Sequence, residues 1–200
     1  VGDSIGIFAV PTGQSLASSG NLIHNIKVTY NGTDWQSNIK WPIGNPNLDF
    51  YAYYPYDPNM TDPINYNFVV KSDQSDDNYA ASDLMSAKSA NINIGSVVTL
   101  NFNHLLTLIQ LELPATSSTG ATPDPRLEVL LNKLQNTSVL NLGTNQLMVN
   151  PTTFTSIRPY RVEKFDQVSF NNTYTYRAIV PAQTLHANQD LVMMNQGFKS

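Results

Sequence analysis

The passage Val97–Leu113, VVTLNFNHLLTLIQLEL, is the longest strongly apolar stretch of the chain and ends at Pro114. Apolar residues alternate with polar ones in both of its halves: Val98, Leu100 and Phe102, then Ile109, Leu111 and Leu113. This two-residue period, with branched and aromatic side chains, is typical of a strand with one buried face. The buried set is even-numbered at first and odd-numbered later, which a bulge or bend would accommodate. The passage therefore predicts one long, kinked core strand.

Composition favours strands over helices throughout the chain. Helix is the alternative for Leu105–Leu113, but the Thr and Ile content, the lack of a cap and the terminal proline disfavour it. The 200 residues include only three Glu and are rich in Asn, Thr, Ser, Tyr and Pro, which suits short strands and turns. With 41% hydrophobic and 13% charged residues, the chain is typical of a folded globular protein. We expect an all-β protein of one large or two small domains.

Further strands are predicted where apolar alternation is bounded by turn residues. The clearest signal is a hairpin in which Leu22–Tyr30 turns at Asn31-Gly32 and returns over Thr33–Gln36. The segment Pro114–Pro125, PATSSTGATPDP, is expected to be a flexible surface loop. The other predicted strands are Ser4–Val10, Leu48–Tyr54, Tyr66–Val70, Leu127–Leu134, Ser138–Leu142, Leu147–Val149, Tyr174–Val180 and Leu191–Met194.

Charge and residue types argue against several functional classes. The net charge is −4 and the eleven basic residues are scattered, so binding of nucleic acid is not expected. The chain has no cysteine, which excludes disulfides, thiol nucleophiles and thiolate metal sites. It also lacks a glycine-rich phosphate loop, a G-x-S-x-G elbow and an H-E-x-x-H helix. We therefore expect a non-enzymatic protein with no catalytic residue and no cofactor.

Two sets of residues are candidate metal ligands. Three histidines are isolated in sequence, and spacing alone does not exclude a zinc site or a general base: His24, His104 and His186. For His104, a hydrogen-bonded structural role is favoured. The acidic segment Lys71–Ser82 could offer oxygen ligands to calcium through Asp73, Asp76 and Asp77. Its spacing does not match an EF-hand loop, so a solvated surface loop is favoured and no metal site is assigned.

Aromatic residues carry a second functional hypothesis. The strand Leu48–Tyr54 has four aromatic residues in five positions, namely Phe50, Tyr51, Tyr53 and Tyr54. Alternation along a strand favours core packing for them, whereas a row of exposed rings with Trp35 and Trp41 would form a sugar-binding platform. The alternative function is therefore a carbohydrate-binding β-sandwich module of a surface glycan-utilisation system. The exposure of Trp41 and Tyr53 distinguishes these interpretations.

Four passages, taken in order, resemble a known family. They are DSIGIFAV at Asp3–Val10, FYAYYPY at Phe50–Tyr56, SDLMSA at Ser82–Ala87 together with VTLNFNHLLTLIQLEL at Val98–Leu113, and YRAIVPAQTL at Tyr176–Leu185. In this order they are similar to the fimbrillin family of Bacteroidales, the subunits of surface fimbriae. The resemblance spans nearly the whole chain.

The resemblance implies two tandem transthyretin-like β-sandwich domains, residues 1–95 and 96–200, with a boundary near Gly95. It implies a structural or adhesive subunit of cell-surface fimbriae that assembles by β-strand exchange with other subunits. It also implies a lipoprotein at the outer membrane, held only through a lipid anchor. The lipoprotein signal and a first strand are expected upstream of Val1, and the end of the fold is expected beyond Ser200. A host protein or a glycan is a further partner to consider, and no ligand-binding residue is implied.

Overall fold

A computed structural model describes residues 1–44, 47–113, 126–166, 171–185 and 189–196. Within them the chain forms fifteen strands and one five-residue helix, which confirms the predicted all-β class. None of the described helical structure is long and apolar enough to cross a membrane. The elements are β1 Ser4–Pro11, β2 Ile23–Tyr30, β3 Trp35–Gln36, β4 Asn47–Tyr54, β5 Tyr66–Val69, α1 Asp77–Ala81, β6 Met85–Asn93, β7 Asn103–His104, β8 Thr107–Leu113, β9 Leu127–Gln135, β10 Thr137–Asn141, β11 Gln146–Val149, β12 Phe154–Ile157, β13 Tyr160–Asp166, β14 Asn171–Val180 and β15 Val192–Gln196.

Contacts divide the chain into two compact units, each assembled from separated segments. Unit 1 consists of Val1–Phe68, Asp83–Leu106 and Ser138–Val149. Unit 2 consists of Val69–Ser82, Thr107–Thr137 and Asn150–Ser200. The units therefore alternate along the chain, whereas the resemblance implies two continuous domains, 1–95 and 96–200. That continuous division stays a prediction.

A six-stranded antiparallel sheet in the order β3-β2-β1-β4-β6-β7 is the centre of unit 1. The inner six residues of both β1 and β4 are buried, so both faces of the sheet are covered. One face carries a core that includes Ile7, Phe50 and Ala52. The other face carries Phe8 and Tyr53, whose ring centroids are 6.2 Å apart. Tyr66 of β5, in the three-stranded sheet β11-β10-β5, contacts Tyr53 on this second face.

A bulge in β2 decides which of its residues reach the core. Ile7 of β1 pairs with Ile26, but Ala9 pairs with Ile23, so β2 contains one extra residue there. Asn25 takes this position with a left-handed φ of 50°, which asparagine tolerates better than most residues. Strict alternation along Leu22–Tyr30 predicts that His24 lies on the same face as Ile26. Because of the bulge, Ile23 is buried on that face instead and His24 lies against Phe8 on the other.

Gly6 is required by the close approach of a neighbouring tyrosine. A Cβ at Gly6 would lie 2.0 Å from Cε1 of Tyr53 and 2.8 Å from Oδ1 of Asn25. The absent side chain leaves room for the Tyr53 ring to cross β1 and bring its hydroxyl within 2.8 Å of Asn25 Oδ1. The same hydroxyl accepts the N–H of Asp57 at 3.1 Å. Glycine in β1 therefore permits a buried polar cluster next to the sheet.

The structure corrects the prediction of one long strand over Val97–Leu113. The segment Val98–Phe102 forms no strand, β7 is two residues long, and β8 begins only at Thr107. Nevertheless Val98, Leu100 and Phe102 pack against the core of unit 1, while the residues between them are exposed. An extended chain lying across a sheet face buries every second side chain without ladder hydrogen bonds. The change of phase falls at Leu105–Leu106, where the chain passes from unit 1 to unit 2.

Unit 2 is built from two three-stranded sheets, β12-β9-β15 and β13-β14-β8. Their shared core contains Val129 of β9 with Tyr174 and Tyr176 of β14. Leu111 and Leu113 of β8 pack against it, which confirms the predicted inward face of that strand. β8 and β15 lie at the edges of their sheets.

Several local predictions need correction or addition. The hairpin of β2 and β3 is confirmed, but Tyr30 pairs with Trp35, so its loop has four residues rather than two. Asn31 fixes this loop by accepting the N–H groups of Thr33 and Asp34. The sequence analysis does not predict β6, β12, β13 or α1. The loop expected at Pro114–Pro125 lies entirely outside the described residues.

Candidate functional site

The aromatic residues of β4 belong to the core and do not form a sugar platform. Tyr51 and Tyr53 are 3% and 0% exposed. Trp41 is partly buried against the same sheet, with its ring 5.8 Å from that of Phe50. Trp35 is half exposed but lies apart from them on β3. The core interpretation of β4 is therefore confirmed, and the row of exposed rings that a carbohydrate-binding module needs is not formed along this strand.

The described histidines have separate, local contacts. His24 Nδ1 is 3.2 Å from Asn21 Nδ2, and its Nε2 is 3.1 Å from the carbonyl oxygen of Thr61. His104 Nδ1 is 2.8 Å from Asp83 Oδ1, as expected for a hydrogen-bonded histidine, although it is exposed at the sheet edge. His186 lies outside the described residues. In the ranges that the structure covers, no three His, Asp or Glu side chains come together as a metal-binding group.

The acidic segment Lys71–Ser82 lies at the surface, as predicted, but it is not a solvated loop throughout, because it contains the helix α1 and the buried residues Gln74 and Ser82. Asp73, Asp76 and Asp77 are all exposed. The Asp73 carboxylate accepts the hydroxyl of Ser75 at 2.7 Å and its N–H at 3.0 Å. These hydrogen bonds, with Arg158 nearby, hold the pKa of Asp73 below its ordinary value. The Asp73 carboxylate therefore stabilises the turn to which it belongs.

Gln74 anchors this segment to β14 of the same unit. Its side chain is fully buried; Nε2 donates to the carbonyl oxygen of Ile179 at 2.7 Å, and Oε1 accepts the Ile179 N–H at 2.8 Å. The first residue of β13, Tyr160, pairs with Arg177 of β14. Ile179 of β14 therefore lies outside the part of β14 that pairs with β13. The amide of Gln74 supplies the donor and acceptor that a longer β13 would have supplied.

A cleft next to this loop collects arginine side chains. It has a volume of about 420 Å³, and its lining includes Arg126, Arg158 and Arg161. The chain contains four arginines, so three of them lie at one place. Tyr160, Tyr176, Leu127, Val129 and Pro159 supply the apolar part of the lining, and Ser75, Asp76 and Glu128 complete it. All these residues belong to unit 2.

The charges of the cleft are held in place by neighbouring groups. Arg158 donates from Nη2 to Glu128, and its Nη1 is 3.9 Å from Asp73 Oδ2. The guanidinium of Arg161 lies over the ring of Tyr174, 5.1 Å from its centroid. Burial raises the pKa of Tyr176, and the hydrogen bond and charge of Arg161 act in the opposite direction. The cleft therefore combines oriented guanidinium groups with aromatic surface.

Sequence reasoning missed this cleft because its members come from distant positions. Arg126 precedes β9, whereas Arg158 and Arg161 flank the start of β13. The only local signal is the spacing Arg158-Pro159-Tyr160-Arg161, which places two cations around a tyrosine. No pattern in the sequence indicates that Arg126 joins them.

The edge strand β15 has an unusual exposure pattern. Val192 and Met194 lie opposite Leu131 and Val129 of β9, and both of these partners are 2% exposed. Directly opposed residues share a face of the sheet, so Val192 and Met194 face the core side. They are nevertheless 39% and 50% exposed. The described residues leave this side of the strand partly uncovered.

Comparison with known proteins gives a consistent family. The sequence profile of a family described as "Fimbrillin-like" matches residues 1–200. A Bacteroides ovatus protein named "Putative fimbrium tip subunit Fim1C" is 30% identical over 131 residues, covering 58% of this chain and 24% of that protein. The chain thus spans about a quarter of the length of this relative.

Solved structures share the fold. The crystal structure of a "putative cell adhesion protein" from Bacteroides uniformis superposes with a TM-score of 0.70 at 22% identity, covering 97% of this chain and 72% of that one. A second protein with the same description, from Bacteroides ovatus, gives a TM-score of 0.61 at 21% identity, covering 90% and 67%. The shared fold agrees with the profile match, which covers the whole chain. The chain belongs to the Fimbrillin-like family.

Proposed function

We propose that the chain is a structural or adhesive subunit of cell-surface fimbriae. The observation that carries this proposal is the match of all 200 residues to the Fimbrillin-like family. The similarity to a protein named as a fimbrium tip subunit supports it. The partners are other fimbrial subunits and the location is the cell surface. The protein acts through binding and assembly rather than catalysis.

Subunits assemble by strand exchange, in which a strand from one subunit pairs with an open edge of the next. The edge strand β15 is suited to this role. Its sequence VMMNQ has neither a charge nor a proline, the two features that commonly protect sheet edges. Its core-facing Val192 and Met194 are 39% and 50% exposed, and an added strand would cover them. β8, by contrast, carries the exposed carboxylate of Glu112.

Attachment to the outer membrane is through a lipid anchor. The resemblance to fimbrillins is the basis for this part of the proposal. A host protein or a glycan is the target of the adhesive role.

The test is electron microscopy and SDS-resistant laddering of the natively processed protein on the cells that produce it, with a strain lacking the protein as the control. We expect filaments or ladders that contain this chain and are lost from the control strain. A protein found on the surface only as a monomer would contradict polymerisation. A protein confined to the cell interior would contradict the fimbrial proposal as a whole.

A further inference from the structure

A second cleft lies within unit 1, at the edge of the six-stranded sheet formed by β6 and β7. It has a volume of about 470 Å³. One side is formed by Ser86 and Lys88 of β6 with Asn101 and Asn103, and the other by the turn at residues 142–145 between β10 and β11. Ser86 pairs with Asn103, so their side chains share a face of the sheet. Every residue of the lining belongs to unit 1, and we call this site the amide cleft.

Hydrogen bonds within the chain hold the turn of the amide cleft in place. The Asn141 side chain accepts the N–H of Thr144 at 3.1 Å, and the Ser86 hydroxyl donates to Oδ1 of Asn145 from the opposite side. Asn145 has a left-handed φ of 58°, which asparagine tolerates better than most residues. The two sides of the cleft are therefore tied together before a ligand binds, which lowers the entropic cost of binding.

Primary amides and hydroxyl groups dominate the lining. They are contributed by Ser86, Asn101, Asn103, Thr144 and Asn145. An amide offers N–H donors together with a carbonyl acceptor, and a hydroxyl group can also donate and accept. The side chains of Asn101 and Thr144 are exposed and make no hydrogen bond to the residues that the structure describes. A ligand rich in hydroxyl groups would match this mixture of donors and acceptors.

The charge of the lining favours a neutral ligand. Lys88 is the one charged residue among the described residues of the lining, and its ammonium group lies 4.8 Å from the centroid of the Tyr51 ring. An anion only accepts hydrogen bonds, so it would leave the carbonyl oxygens of the three asparagines unused. Ala87 and Leu142, which are 6% and 3% exposed, provide a small apolar floor. Oriented polar groups around an apolar surface are typical of sites for small ligands.

We propose that the amide cleft binds a neutral oligosaccharide through its hydroxyl groups. Asn101 and Thr144 bind sugar hydroxyl groups from opposite sides, and Ser86 positions Asn145. This inference rests on the proposed function, because it names a ligand class for the adhesive role. It does not require polymerisation, so a loss of sugar binding with filaments intact would reject this inference alone.

The first test uses the purified protein on an array that carries both neutral and acidic oligosaccharides. We expect binding to at least one neutral oligosaccharide, with a Kd of about 1 mM or lower when the same free sugar is titrated by calorimetry. Binding confined to acidic oligosaccharides would overturn the proposal, and so would the absence of binding to any of them.

A double substitution tests whether the amide cleft is the site. Asn101→Ala combined with Thr144→Val should weaken binding of the neutral sugar about tenfold or more, because two hydrogen bonds to the ligand are lost. The matched control is Asn38→Ala combined with Thr33→Val, at two exposed residues of unit 1 that do not line the cleft. Thermal unfolding of each variant checks the fold. Equal losses of binding in the two double variants would contradict the assignment of the site.

Lys88→Met distinguishes a neutral ligand from an anion. The variant keeps an apolar side chain of similar length but removes the charge, and it should change binding of the neutral sugar by less than about threefold. A loss of about tenfold or more, or displacement of the sugar by inorganic phosphate, would identify the amide cleft as an anion site and contradict the proposal.

Discussion

Glutamine side chains complete the hydrogen bonding of sheets at two places in unit 2. Gln74 pairs with both backbone groups of Ile179 where β13 has ended. Gln183 does the same for Gln135 at the end of β9, accepting its N–H at 2.7 Å and donating to its carbonyl oxygen at 3.0 Å. A primary amide carries the same donor and acceptor as a peptide group. One glutamine side chain can therefore make the two hydrogen bonds that a residue of a neighbouring strand would otherwise make.

Replacement of Gln74 by leucine should destabilise unit 2 strongly. The variant keeps a similar volume but leaves the buried N–H and carbonyl of Ile179 without these partners. We expect a loss of about 2 to 4 kcal/mol in the free energy of unfolding, from two unsatisfied buried groups. Urea unfolding measures this loss. Gln14→Leu, at an exposed turn position, is the control and should change stability by less than about 0.5 kcal/mol. Equal effects of the two variants would contradict the proposed role of the amide.

Buried tyrosines should make unit 1 sensitive to alkali. Burial raises the pKa of Tyr53 above its ordinary value of 10.0, and burial with a hydrogen bond to the Asp57 carboxylate does the same for Tyr66. The folded state therefore keeps protons that the unfolded chain releases. Stability from this source is complete below about pH 10 and falls as the pH rises above it. The slope is at most about 1.4 kcal/mol per pH unit for each tyrosine.

The measurement is the free energy of urea unfolding between about pH 8 and pH 11. Tyr66→Phe should be less stable at neutral pH, because it loses the 2.8 Å hydrogen bond to Asp57, yet its stability should fall less steeply above about pH 10. Parallel pH profiles for the variant and the original chain would show that Tyr66 does not contribute to the alkaline transition.

At the level of elements, the segment Val98–Phe102 is the informative case. It crosses a face of the six-stranded sheet as an extended chain, with Phe102 partly buried against the core of unit 1. Phe102→Ala should therefore cost about 1 to 3 kcal/mol, less than the 3 to 5 kcal/mol of a fully buried phenylalanine. Val97→Ala, at a residue that is 87% exposed, should have little effect. A loss below about 0.5 kcal/mol for Phe102→Ala would mean that the segment does not contribute to the core.

The same segment shows what alternation in a sequence can and cannot predict. The period of two correctly predicts which side chains of Val98–Phe102 and β8 face inward, because any extended chain alternates its side chains. It does not predict hydrogen-bonding partners, which come from distant parts of the chain. The strand β6 was missed because its polar sequence MSAKSANIN lacks an apolar period. β6 also contains a bulge, because Leu48 of β4 pairs with Ile92 whereas Phe50 pairs with Ser89. At this bulge Asn91 has a φ of 55° and donates its N–H to the Asp49 carboxylate.

The candidate cleft was harder to predict than the fold for a related reason. Strands and turns are signalled by neighbouring residues, whereas Arg126 meets Arg158 and Arg161 only through the pairing of β9 with β12 and the chain reversal into β13. The resemblance of four short passages to fimbrillins identified the family, since their order along the chain is itself information. It contained no signal for a ligand-binding residue.

For the molecule as a whole, exposed apolar side chains matter most where they lie next to an open strand edge. Scattered ones are ordinary on protein surfaces, and Met148 on β11, which is 66% exposed, is an example. Val192 and Met194 differ because they face the core side of their sheet at an edge strand. This position is the one that strand addition would bury.

Met194→Lys should therefore block assembly while leaving the folded subunit intact. A lysine at this half-exposed position remains solvated in the monomer, so we expect a change of less than about 1 kcal/mol in its free energy of unfolding. A neighbouring strand added at β15 would desolvate the charge, which opposes assembly. SDS-resistant ladders on cells should decrease about tenfold or more relative to the unchanged chain. Met148→Lys is the matched control and should leave the ladders unchanged. If Met148→Lys abolished the ladders and Met194→Lys did not, β15 would not be the assembly edge, and the exposed side of β11 would replace it.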